Sequence, residues 1–288
     1  MKERVLPSTN IVPEQGKMTQ SGNQEKRPFS QKPYVAICSF TTLDGKTTTH
    51  QRQTYIEQTP QGVQERISSV LHPYWPHRVF YDEVMLEFDA VMIGANAARI
   101  DNSALLPRTN KFQGREAPAR IVVTSKADIS SDNKIFYGRT LPDGTIITSK
   151  TYICTTELAS QQDIIRLRNL GAEILISGPG PSVDLSYSLQ LLSQFNIQRI
   201  MLQGGGTLNW NMLQTGLIDE IRIYTMPYVV GGHMNPTAYE GEGALTSNDV
   251  FKLEHLSHFW HEPGSDNGNS CSFMEQRYRV IGPSGNNP

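Results

Sequence analysis

The chain has 288 residues, 38% of them hydrophobic, enough for one large or two small domains with a substantial core. A formal net charge of −2, from 26 basic and 28 acidic side chains, leaves no cationic surface of the kind that nucleic acid or an anionic membrane needs. Cys38, Cys154 and Cys271 are far apart, odd in number and free of CxxC spacing, which argues against a disulfide framework and a zinc knuckle and fits a reducing cytoplasm.

Residues 1–32 are rich in Gln, Ser, Asn, Pro and Lys, bury too little apolar surface to offset the entropy of ordering, and are expected to form a polar, disordered tail. No segment reaches the roughly 18 apolar residues of a membrane span, and the N-terminus lacks the apolar centre of a secretory signal, so the expected location is the cytoplasm. From Pro33 onward short β-branched runs recur: "YVAICSF", "AVMIG", "RIVVT", "TYICT", "AEILIS", "QRIMLQ" and "EIRIYTMPYVV". Their lack of alternation suits strands buried on both faces. Helical segments are predicted at 62–87, 157–170, 184–194 and 206–216, giving the strand and helix alternation of an α/β domain. Within 62–87, Tyr81, Asp82 and Glu83 read as the exposed face. The segment 249–281 holds two aromatic runs around "HEPGSDNGNS", a cluster of turn formers that predicts an antiparallel hairpin at the sheet edge.

"MLQGGGTLNW" at 201–210 stops an apolar run at Gly204, Gly205 and Gly206 and resumes as a helix through Leu208, Met212 and Leu213, with Gly216 as its stop. If "IQRIMLQ" is a central strand, the glycines lie at its carboxyl end, where open α/β sheets bind ligands. There the backbone comes close to a ligand without a Cβ in the way, and the N–H groups of a helix start attract phosphate. A tight strand-to-helix connection that binds nothing has the same local sequence. Residues 204–209 read GGGTLN, which is not GxGxxG, and no GxxxxGK[ST] occurs, so nucleoside triphosphate hydrolysis has no support. His255, His258 and His261 recur every third residue, but strand alternation sends His258 away from the other two and no metal site is expected. Glu240 and Glu242 fall in a glycine-rich loop and read as solvated. "LDGK" at 43–46 reads as a turn.

Three stretches in order, "FTTLDGK" at 40–46, "FDAVMIGANAARIDNSALLPR" at 88–108 and "RIMLQGGGTLNWNMLQTGLIDEIRIYTMPYVVGG" at 199–232, resemble the reductase family of riboflavin biosynthesis, and "YEGEGAL" at 239–245 extends the likeness toward the stand-alone archaeal and fungal form. The resemblance implies a reductase domain over 33–288 with a dihydrofolate-reductase-like three-layer fold: a mixed, mostly parallel central sheet and a C-terminal antiparallel hairpin. It implies a homodimer that uses NADPH or NADH to reduce a ribosylamino-pyrimidine phosphate to its ribityl form, with no metal. Gly204, Gly205, Gly206, Thr207 and Leu208 would cradle the coenzyme diphosphate. Gly94, Ala95 and Asn96 would approach the nicotinamide half, and Thr124 and Ser125 the adenosine half. Asp101 and Arg108 match positions that contact substrate, Asp101 and Lys46 are the catalytic candidates, and Asp44 would order its turn beside the substrate. An HxE paired with PCxxC, the signature of the zinc deaminase that accompanies the bacterial reductase, does not occur.

The departures from the family pattern gather at the substrate end. Gln203 replaces a carboxylate; it still hydrogen-bonds a pyrimidine edge, but it does not accept as an ionised group does. Asn102 and Ser103 replace the second acid and proline before Arg108, Ala97 replaces threonine, and Met85 with Glu87 nearby stands where an arginine usually helps hold the phosphate. "HPYWPHR" at 72–78 is unfamiliar. Two alternatives therefore stay open: a reductase of the same fold acting on another pterin-like or heterocyclic substrate, and a catalytically silent nucleotide-binding paralogue.

Overall fold

A computed structural model of the protein describes residues 32–47, 57–58, 64–65, 78–108, 116–262 and 272–284. The predicted tail up to residue 31 and "HPYWP" with His77 lie outside the described residues. β1 (Tyr34–Thr42) comes first; β2 (Glu57–Gln58) and β3 (Gln64–Glu65) pair antiparallel with each other. Next, α1 (Arg78–Met85) leads to β4 (Ala90–Gly94), which runs directly into α2 (Ala95–Asp101), and β5 (Ala119–Val123) follows. A small antiparallel pair, β6 (Arg139–Thr140) and β7 (Ile146–Ile147), precedes β8 (Thr151–Thr155), α3 (Gln161–Asn169), β9 (Ala172–Ile176) and α4 (Leu185–Ser193). The chain continues through β10 (Arg199–Gly204), α5 (Gly206–Gln214) and β11 (Glu220–Met226) to a hairpin of β12 (Phe251–His261) and β13 (Phe273–Pro283).

Among the described residues nine strands form one sheet in the order β12-β13-β11-β1-β10-β4-β5-β8-β9. Every pairing from β11 to β9 is parallel, and β13 joins β11 antiparallel, so the predicted hairpin does extend one edge. Strand alternation divides the core into two layers. Ala36, Val91, Val122 and Ile153 face α1, α2 and α3 through Met85, Ala98 and Leu167. Ile37, Met92, Ile121 and Leu202 face α4 and α5 through Leu192, Met212 and Leu213. Helix ends follow their caps: Ser160 accepts the Asp163 N–H at 3.0 Å at the start of α3, Asp184 accepts that of Tyr187 at 2.9 Å at the start of α4, and Gly216 at φ 67° follows α5.

Four expectations are corrected. The segment 62–87 is not one helix: within the described residues Gln64–Glu65 is a strand, and the helix spans Arg78–Met85. Its acids are not all exposed, because Asp82 retains 1% of its accessible surface. α2 forms where only a strand end was read; it has no side-chain cap and follows Gly94 without a loop, so no boundary signal precedes it. In β12 a bulge leaves Leu256 without an opposite residue between the pairs His255 with Tyr278 and Ser257 with Arg277. The extra residue restores His258 to the face of His255, with ring centroids 5.4 Å apart, while His261 hydrogen-bonds Glu275 at 2.9 Å. Among the described residues no group of three or more His, Cys, Asp or Glu could hold a metal ion, and no helix is long and apolar enough to cross a membrane.

At the amino ends of β1 and β11 lies a charged cluster. Arg222, 3% exposed, bonds Glu220 through Nε at 2.8 Å and Glu87 through Nη1 at 2.7 Å, and Tyr34 donates its hydroxyl to Glu220. Burial pushes the Glu220 carboxyl up, but the hydrogen bonds from Arg222 and Tyr34 outweigh it and hold the group below the usual carboxylate range.

Candidate active site

The carboxyl ends of β1, β4, β5 and β10 border a cleft of about 1680 Å³. Gly205, Gly206, Thr207 and Leu208 line it, and so do Gly94, Ala95 and Asn96 across from them. A Cβ on Gly94 would lie 3.6 Å from the Gly204 carbonyl oxygen and 3.7 Å from the Leu208 side chain, so the two strand ends pack edge to edge. The turn therefore points into the cleft beside Gly94.

Each glycine has its own reason. Gly204, at φ 71°, is absent from the cleft wall: a Cβ there would come within 2.2 Å of Asn209 Oδ1, and Asn209 is fixed by donating to the Ala238 carbonyl at 2.8 Å. At Gly206 a Cβ would meet the Thr237 carbonyl oxygen at 2.7 Å and Glu240 Cγ at 2.5 Å. Gly205 has φ 68° and open space where a Cβ would stand. Two of the three thus make room for the protein's own groups, and Gly205 presents bare backbone to the cleft. The expected solvated Glu240 is corrected by the same contact. It is half-buried against Gly206 and accepts the Thr237 N–H at 3.1 Å, whereas Glu242 is exposed. The first N–H accepted within α5 is that of Asn209, by Gly205 at 3.1 Å, so the N–H groups of Gly206, Thr207 and Leu208 have no intrahelical acceptor.

Thr124 and Ser125 also line the cleft. Thr124 is buried and donates to Asp128 at 3.1 Å; the Ser125 carbonyl accepts the Thr156 hydroxyl at 2.7 Å. Asp101, exposed on the last turn of α2, lines the cleft too, with Arg108 and Gln203. Met85, Ala97, Asn102 and Ser103 line the cleft as well, so these departures fall on the wall, whereas Glu87 pairs with Arg222 instead. Asn102 caps α2 at φ 42°, and its side chain accepts the Lys134 N–H at 2.8 Å.

Besides Gly204, two further sequence candidates are not brought in. The Asp44 carboxylate accepts from the Thr42 hydroxyl at 2.6 Å and from the N–H groups of Val230 and Gly231 at 3.1 and 2.7 Å, away from the cleft wall. The Thr42 hydroxyl and these backbone donors hold its carboxyl down at about 2. Lys46 bridges to Thr237 and donates from Nζ to the Asn235 carbonyl at 3.2 Å; only its neighbour Thr47 lines the cleft. Both residues tie the β1 turn to the 230–237 loop. Cys38 does line the wall, but complete burial pushes its thiol up to about 12, so it is no nucleophile at neutral pH.

Sequence reasoning missed five charged groups on the wall: Asp82, Arg99, Lys126, Asp128 and Arg139. Arg99 was hidden with α2 and pairs with Asp128 at 3.2 Å. Lys126 follows Ser125 directly, and a cation after "TS" at a strand end was the available signal.

The family model described as the RibD C-terminal domain matches residues 33–262. The 2,5-diamino-6-ribosylamino-4(3H)-pyrimidinone 5′-phosphate reductase of Aquifex aeolicus is 30% identical over 80% of this chain and 92% of its own length. Its namesake from Methanothermobacter thermautotrophicus is 32% identical over 77% and 91%. Against the RibD protein of Actinobacillus pleuropneumoniae, 26% identical, the chain spans 53% of that protein's length. In structure it matches Acinetobacter baumannii RibD with a TM-score of 0.61 at 19% identity, over 87% of this chain and 58% of that one. It matches the Saccharomyces cerevisiae riboflavin biosynthesis reductase Rib7 with a TM-score of 0.56 at 13% identity, over 90% and 93%. These structures share the dihydrofolate-reductase-like fold seen here, and the chain belongs to the RibD C-terminal domain family.

Proposed function

We propose that this chain is a nicotinamide-dependent reductase that converts a ribosylamino-pyrimidine 5′-phosphate to its ribitylamino form in riboflavin biosynthesis, acting as one domain from Pro33 onward in the cytoplasm. The observation that carries the reading is that one cleft is lined both by the strand ends at Gly94, Thr124 and Gly205 and by Asp101, Arg108 and Gln203. The residues fit a nicotinamide dinucleotide. Gly205 leaves backbone open, and the N–H groups of Gly206, Thr207 and Leu208 have the polarity a diphosphate needs. Gly94, Ala95 and Asn96 would flank the nicotinamide, and Thr124 with Ser125 the adenosine. Lys126, exposed beside Ser125, offers a cation to a 2′-phosphate and favours NADPH over NADH.

The coenzyme, when bound, supplies hydride; the protein supplies orientation and charge. Arg108 holds the substrate phosphate, Gln203 hydrogen-bonds the pyrimidine edge, and Asp101 is placed to move a proton at the opened sugar. Growth of a riboflavin auxotroph lacking this reductase, restored by the chain and more weakly by its R108A variant, is the expected outcome; no growth with soluble protein rejects the substrate. Met85 and Gln203 on the wall favour one second reading, a reductase of another phosphorylated heterocycle. Coenzyme binding without complementation selects it. The expected homodimer gains support from the β12 and β13 hairpin, which displays Leu253, Leu256, Phe259 and Trp260 at 39 to 60% exposure.

A further inference from the structure

Asp82 is a carboxylate with 1% of its surface accessible, on the cleft wall beside Met85. Taking a carboxylate out of water is unfavourable unless hydrogen bonds compensate. Here its Oδ2 accepts the main-chain N–H of Arg108 at 2.6 Å, a short charge-assisted bond across 26 residues of sequence. Residues 102–107, which lead to Arg108, form no helix or strand, and Leu105 within them adopts φ 48°. α1, in contrast, is set into the core by Val84 and Met85, 3% and 2% exposed, with Phe88 just beyond its end. Asp82 therefore connects a core-packed helix to an irregular segment at Arg108, one of the arginines on the cleft wall.

We propose that Asp82 is the positioning residue for Arg108, holding the arginine main chain so that its guanidinium meets the substrate phosphate. This rests on the reading of Arg108 given above. The test measures KM and kcat with the ribosylamino-pyrimidine phosphate, and coenzyme Kd by fluorescence, for D82A, D82N, R108A and D82A/R108A. R108A and D82A are each expected to raise KM about tenfold with coenzyme Kd unchanged, and the double variant to be no worse than R108A, as residues acting through one contact are non-additive. D82N keeps a neutral acceptor for the N–H and should raise KM only about threefold. If D82A does not fold, D82N decides: a KM equal to wild type overturns the proposal. So does a D82A variant that weakens coenzyme as much as substrate, or additivity in the double variant. An R108A effect with no D82A effect overturns the positioning role and leaves the functional reading intact; no R108A effect overturns the role assigned to Arg108 and the positioning role with it.

Discussion

Gly204, Gly205 and Gly206 are adjacent and chemically identical, yet alanine should act differently at each. At 204 and 206 the new methyl meets atoms that are not free to leave, Asn209 bonded to Ala238 and the Thr237 carbonyl, with positive φ added at 204. At 205 only positive φ opposes it, a strain of roughly 1 kcal/mol. Chemical denaturation of G204A and G206A should show losses of about 2 to 3 kcal/mol or more, against about 1 for G205A. G205A should still weaken coenzyme, as its methyl enters the cleft. Equal losses at all three positions would contradict the assignment of Asn209 and Thr237 as the obstacles. Asp44 gives a second test at this scale. Its folded pKa of about 2 lies below the ordinary value near 4, so its contribution is present above about pH 4 and is lost as pH falls toward 2. The stability gap between wild type and D44N should therefore be widest at neutral pH and close as the solution is acidified. A gap that persists at pH 2 would mean the carboxylate charge does not tie the turn to Val230 and Gly231.

Elements show what the sequence made readable and where it stopped. The central strands were legible because burial on both faces gives unbroken β-branched runs, and α5 because glycine marks both of its ends. α2 was not legible: its seven residues start directly after the last residue of β4 with no capping side chain. The His258 error has another cause. Alternation was applied correctly, but a bulge inserts a residue through pairing with β13, and no local feature of β12 announces it. Asp82 fell to the rule that acids face water, which fails where a buried carboxylate has a main-chain donor to satisfy. Arg222 carries the prediction for β11. Removing it leaves Glu220, side chain 8% exposed, with Tyr34 but without its hydrogen-bonded cation, so R222M should lose about 3 kcal/mol in urea unfolding. Adding Glu220→Gln should recover part of that, since the cost lies in the stranded charge. An R222M variant as stable as wild type would show that the cluster contributes nothing.

Across the whole molecule, the sheet order places the ends of β1, β10, β4 and β5 side by side, and this brings together residues that lie far apart in the chain, from Phe40 through Asn96 and Ser125 to Leu208. Which residues share the cleft was legible once strands were assigned; which side chains turn into it was not. Asp44 and Lys46 serve the 230–237 loop instead, through hydrogen bonds that join residues nearly 190 positions apart. The hairpin at the other edge bears on assembly. W260E with L256E should shift a dimer to monomer in sedimentation, and wild type sedimenting as a monomer would refute the dimer. The central claim is that the cleft beside Gly205 receives a nicotinamide coenzyme and passes hydride to a ribosylamino-pyrimidine phosphate. Its most direct test is the loss of NADPH absorbance on mixing with that substrate, with product identified by mass. The account predicts stoichiometric coenzyme oxidation and a product two hydrogens heavier, formed about tenfold more slowly by R108A at substrate well below KM; unchanged absorbance with no coenzyme bound would contradict it.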